Sequence, residues 1–99
     1  MIYKKTNPSI SYLEFRELIE PVTVFKGLRG QEYHVKNIEG SKMKFIRKST
    51  GVEWPMDLEG VLRAYKELTD FRTVNFKPYV PRTHSPALGL LLHLKLLSK

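Results

Sequence analysis

The sequence predicts an α+β domain: an antiparallel sheet of four to five strands packed on helices, in the order helix, four strands, helix, a candidate fifth strand, helix. Three observations predict it. A helix-start signal with helical apolar spacing occupies residues 10–20, apolar residues then alternate with polar ones between close turns up to residue 54, and two further segments return to helical spacing. At 99 residues the chain is the size of one domain, so residues 1–99 are read as a single unit with 1–8 as a flexible N-terminus.

The first helix opens at Ser11-Tyr12-Leu13-Glu14, where the Ser11 hydroxyl can take the Glu14 amide and the Glu14 carboxylate can reach back. Ile10 and Phe15 fit the apolar staple that flanks such a box. Tyr12, Phe15 and Ile19 share a face, and Pro21 ends the helix because residues before proline avoid the α region.

From Val22 the period changes to two. Strands are expected at Val22 to Lys26, Glu32 to Ile38, Lys42 to Arg47 and Val52 to Trp54, separated by the turns around Gly27-Leu28-Arg29-Gly30, Glu39-Gly40-Ser41 and Lys48-Ser49-Thr50-Gly51. Links this short join antiparallel neighbours. Pro55 is expected to stop the fourth strand and to mark it as an edge.

Asp57 is the cap of the next helix, with Leu58, Val61, Leu62, Tyr65 and Leu68 on one stripe. Thr73 to Phe76 is the candidate fifth strand. A loop with Pro78 and Pro81 follows, and Ser85-Pro86 suits the cap and first position of a last helix. Its leucines, from Leu88 to Leu97, fall on nearly every face, so it must be buried on more than one side.

Charge narrows the partners. Seventeen Lys and Arg against ten Asp and Glu give a net charge of +7, which favours polyanions. The absence of cysteine excludes disulfides, thiolate metal sites and cysteine nucleophiles. His34, His84 and His93 stand far apart with no carboxylate at ligand spacing, so no metal and no cofactor are expected. Gly27-Leu28-Arg29-Gly30 precedes a strand rather than a helix and reads as a hairpin turn, not a phosphate loop. No secretory signal or membrane span is seen, so the expected setting is the cytoplasm, away from membranes.

Alternation supplies the main candidate site. Tyr33, Val35, Met43 and Phe45 are expected on a face turned to the helices, and His34, Lys36, Lys42 and Lys44 on the other. Lys26, Arg29, Arg47 and Lys48 extend what is expected to be a cationic, nearly acid-free surface. A second basic feature is the loop Lys77 to Ser85, where Lys77, Arg82 and His84 can hold a phosphate and Tyr79 can stack on a base. Trp54 is read as core.

The helix, strands, helix order is similar to that of double-stranded-RNA-binding domains. Their second helix opens on lysines, whereas this one opens on Asp57-Leu58-Glu59-Gly60, and no family is assigned.

Three functional readings follow. The first is a nucleic-acid-binding module that contacts DNA or RNA phosphates through Lys36, Lys42, Lys44, Arg47, Lys48, Arg29 and Arg82. The second is an assembly module forming a homodimer through Leu88, Leu91 and Leu92 of the leucine-rich helix. The third is a small metal-independent ribonuclease working with Lys, Arg, His and Tyr, for which a diagnostic motif is lacking.

Overall fold

The computed structural model describes residues 3–99 and has an α+β architecture. In chain order the elements are β1 (Lys4–Lys5), α1 (Tyr12–Ile19), β2 (Val24–Lys26), β3 (Glu32–Glu39), β4 (Lys42–Arg47), β5 (Glu53–Asp57), α2 (Leu58–Glu67), a 3-10 turn (Thr73–Phe76), α3 (His84–His93) and β6 (Leu97–Ser98). β2, β3, β4 and β5 form an antiparallel meander in that spatial order, and β1 pairs separately with β6.

The first helix forms as its capping box dictates. The Ser11 hydroxyl accepts from the Glu14 amide and the Glu14 carboxylate accepts from the Ser11 amide, both at 3.1 Å. These bonds hold the Glu14 carboxyl below the usual carboxylate range. Ile10, Phe15 and Ile19 enter the core.

The sheet turns one face inward. Phe25 lies opposite Tyr33, Val35 opposite Phe45, and Met43 opposite Met56, so alternate residues of four strands converge on one apolar layer. Phe25, Tyr33 and Phe45 pack there as an aromatic trio with ring centroids 5.2 to 5.7 Å apart. A register shift between Val35 and Asn37 keeps Ile38 opposite Met43 and packed against the core.

α2 and α3 belong to the same apolar core. α2 starts at the Asp57 cap and buries Leu58, Val61, Leu62 and Tyr65 of the predicted stripe, with Ala64 beside them, while Leu68 is the partly buried residue that ends the helix. α3 approaches β2 closely at Gly89, where a Cβ would lie 2.6 Å from the Lys26 carbonyl oxygen. Glycine inside a helix costs about 1 kcal/mol relative to alanine, so close packing opposes local propensity here.

Four expectations are corrected. Thr73 to Phe76 is a 3-10 turn, not a strand: it has no sheet partner, and the Asn75 side chain donates to the Asp70 carbonyl at 2.9 Å while Phe76 is buried. β5 runs through Pro55 instead of stopping before it. As an edge strand it needs no outward N–H, so proline is accommodated opposite Lys44.

α3 starts one residue before Ser85, with Thr83 at the cap position and no side-chain cap. Pro86 then sits at the third helical position, still among the first amides that have no intrahelical acceptor. The leucine-rich segment is not one helix to Leu97. Lys95 adopts φ 61°, the Lys95 amide donates to Leu92 and the Leu96 amide to Leu91, which closes α3 and turns the chain back.

That reversal joins the two ends of the chain. Lys4 and Lys5 pair with Ser98 and Leu97, placing a short strand within the segment that carries no element signal in the sequence. Buried Tyr65 fastens both: its hydroxyl accepts from the Asn7 amide at 3.1 Å and donates to the Leu96 carbonyl at 2.9 Å.

Candidate nucleic-acid interface

The face of the sheet opposite the core carries Lys42 and Lys44, but it is not acid-free. Lys36 meets Glu53 at 3.2 Å, Lys42 meets Asp57 at 3.8 Å, Lys44 meets Glu39 at 3.3 Å and Lys48 meets Glu32 at 2.9 Å. The register causes this, because Glu39 and Asp57 both lie opposite Lys42, on strands either side of β4. Period-two reasoning along single strands sees the lysines; the carboxylates arrive from their neighbours.

Exposed pairs of this kind contribute only about 0–1 kcal/mol to stability, yet each one cancels the field of its lysine. The Lys48 hydrogen bond, with its positive charge, holds the Glu32 carboxyl below the ordinary range.

Arg47 does not extend that face. It lies opposite Tyr33 and two residues beyond Phe45, so its side chain leaves on the core side at the end of β4. The guanidinium Nε is buried without a hydrogen-bond partner among the described residues. Around it is a cleft of about 210 Å3 lined by Gln31, Tyr33, Arg47, Trp54, Arg82, Thr83, Ser85 and Pro86.

The structure thus brings Arg47 and Arg82 together, from β4 and from the loop before α3. Arg29 is close by: it lines a depression of about 250 Å3 with Leu28, Gln31, Thr73 and Ser85. A wider depression of about 650 Å3, holding Lys26, Gly30, Gln31, Glu32, Arg47, Lys48 and Ser49, adjoins the first through Gln31 and Arg47. Among the described residues, Arg29, Arg47 and Arg82 form no salt bridge. The charge of the sheet end that forms no salt bridge among the described residues, Arg29, Arg47 and Arg82 with Lys26, is gathered around Gln31.

The remainder of the second basic loop is committed elsewhere. The Tyr79 hydroxyl donates to Glu67 at 3.0 Å and Arg63 lies 5.5 Å from the centre of its ring, so this tyrosine is tied to α2 rather than presented to a base. The Glu67 bond raises the phenol above its usual range. His84 contacts the Pro81 carbonyl through Nδ1 at 2.9 Å.

Gln31 and Thr83 join the site without having been singled out, and Ser85, read as a helix cap, lines it too. Thr83 is 3 % exposed, and its hydroxyl caps no helix amide. Trp54 is packed partly against the core, as expected, and lines the cleft as well. A sequence signal for these residues is weak: only the density of polar residues near Ser85-Pro86 hints at them, and Gln31 sits in a turn.

Two of the three leucines read as a dimer surface are interior to their own chain. Leu88 and Leu91 are 1 % and 0 % exposed, buried with Leu90, Leu96 and Leu97 in the core of their own chain. Leu92 is partly buried and lines a groove with Tyr3, Phe25 and His93. The leucine-rich segment bends back at Lys95, so Leu97 lies in β6 rather than in α3.

No group of three or more His, Asp or Glu with metal-binding geometry occurs among the described residues, and no helix there is long and apolar enough to cross a membrane. No family model, curated protein or solved structure matches this chain.

Proposed function

We propose that this chain is a nucleic-acid-binding module that grips backbone phosphates with the end of its sheet, through Arg29, Arg47 and Arg82. The observation that carries the reading is the convergence of three arginines without salt bridges from three separate segments onto adjoining depressions around Gln31. Guanidinium groups present paired N–H donors that match phosphate oxygens, and unpaired ones need not first release a carboxylate. Lys36, Lys42, Lys44 and Lys48, each already paired, act as an outer rim that tunes long-range attraction.

Fluorescence anisotropy of labelled DNA and RNA oligonucleotides over a salt series tests the proposal. Three phosphate contacts predict that log affinity falls with log salt at a slope of about −2 to −3. Binding that is absent at low salt, or that ignores salt, removes the reading.

A further inference from the structure

The cleft between Arg47 and Arg82 is smaller and more polar than a site for a whole nucleotide. Pockets that bury drug-sized ligands run from about 300 to 1,000 Å3, whereas this one holds about 210 Å3. Arg47, Arg82, Thr83, Ser85, Gln31 and Trp54 are among the residues that line it.

One group there lacks a partner among the described residues, and a second leaves its helix uncapped. The Arg47 Nε is fully shielded from solvent with no acceptor, which costs about 1–3 kcal/mol for an ordinary buried polar group and more for a charged one. Thr83 is buried to 3 % exposure at the cleft wall, and its hydroxyl, placed to cap α3, makes no cap bond. An acceptor-rich anion accepts from the other N–H groups of the guanidinium pair, and the cationic lining selects for negative charge.

We propose that this cleft is a seat for a single phosphoryl group, held by Arg47 and Arg82 with the Thr83 and Ser85 hydroxyls as supporting donors. The seat lies at the same end of the sheet as the proposed nucleic-acid contacts and deepens that reading, but its own chemistry requires only the phosphoryl group. A strand end or a free phosphorylated metabolite can provide it.

Trp54 is the only tryptophan in the chain and lines the cleft, so its fluorescence reports occupancy directly. Inorganic phosphate is titrated into the full-length protein against chloride at constant ionic strength. A saturable change is expected with phosphate and not with chloride. Arg82→Gln, at an exposed position, weakens it about tenfold or more, the loss of one charged hydrogen-bonding partner.

Arg47→Gln does the same, and circular dichroism of both variants confirms the fold. Lys66→Gln, at an exposed position of α2 that lines none of these depressions, leaves the titration unchanged. No saturable change with phosphate, or an undiminished one in folded Arg82→Gln, overturns the seat. Two further outcomes separate the two proposals. Phosphate binding without any oligonucleotide binding keeps the seat and ends the nucleic-acid reading. Salt-dependent oligonucleotide binding that ignores both arginine substitutions, with no phosphate response, ends the seat and moves the nucleic-acid contacts elsewhere.

Discussion

The open face of the sheet and its cationic end are built from the same strands and differ in how their charges are balanced. On the open face, four lysines each meet a carboxylate from another part of the meander. At the end, Arg47, Arg29 and Arg82 meet none among the described residues, and one guanidinium nitrogen is buried. A count of basic residues treats the two regions alike. Electrostatics does not, because paired charges largely cancel beyond their own separation, whereas unpaired ones keep their attraction for an anion within a Debye length, about 8 Å at physiological salt.

The two regions rest on one core, and the largest predicted effect removes both. Phe45 is fully buried at the centre of the aromatic trio, so Phe45→Ala should destabilise by about 3–5 kcal/mol in urea unfolding. A loss below about 1 kcal/mol contradicts the shared core, since ordinary burial alone predicts more.

Next is the placement of α3. Gly89→Ala gains helix propensity but drives a methyl group into backbone at the Lys26 carbonyl and Gly27. Overpacking of this kind typically costs about 1–3 kcal/mol, and a net loss is expected despite the propensity gain of about 1 kcal/mol. A rise in melting temperature shows that β2 yields to the helix.

The comparison itself turns on charge. Arg82→Gln should reduce oligonucleotide affinity about tenfold, or about 1.4 kcal/mol, whereas Lys44→Gln should change it less than threefold because its charge already faces Glu39. Equal effects mean that net charge, not pairing, sets affinity. Lys95→Gly provides a control at the other end of α3. It relieves a left-handed residue and should stabilise by about 1 kcal/mol without altering binding.

The smallest effect is a titration. Because Lys48 lowers the Glu32 pKa in the folded protein, this pair favours folding above the ordinary carboxylate pKa, and the contribution is lost as pH falls through the lowered folded value. Lys48→Gln should return the Glu32 midpoint, followed by NMR, towards its ordinary value and leave that of Glu14 low, since Ser11 holds the latter. A Glu32 midpoint that does not move assigns the shift to some other group.

Much of the fold is legible because its signals are local. Ser11 with Glu14 sets a helix start through bonds three residues apart, and the stripe from Leu58 to Tyr65 exposes or buries residues by helical period alone. The meander follows from short turns. Errors arise where a distant partner decides: Thr73 to Phe76 has strand-like residues but no neighbouring edge, and the end of α3 depends on a lysine in a conformation that usually signals glycine.

The candidate site shows the same division. Arg29, Arg47 and Arg82 are readable as cations, but their convergence on Gln31 joins positions 31 to 54 with 82 to 86, which no spacing rule relates. Thr83 acquires its place only because Leu88, Leu90 and Leu91 seat α3 in the core.

The sequence by itself determined the α+β class, the meander, two of the three helix starts to within a residue of their caps, and a net positive charge. Those are properties of composition and of contacts within a few residues. Only the tertiary structure decided which charges are cancelled, which leucines are interior and where arginines stand without a salt bridge. Side-chain pairing across strands and burial between layers depend on residues far apart in the chain, and neither quantity exists until the chain is folded.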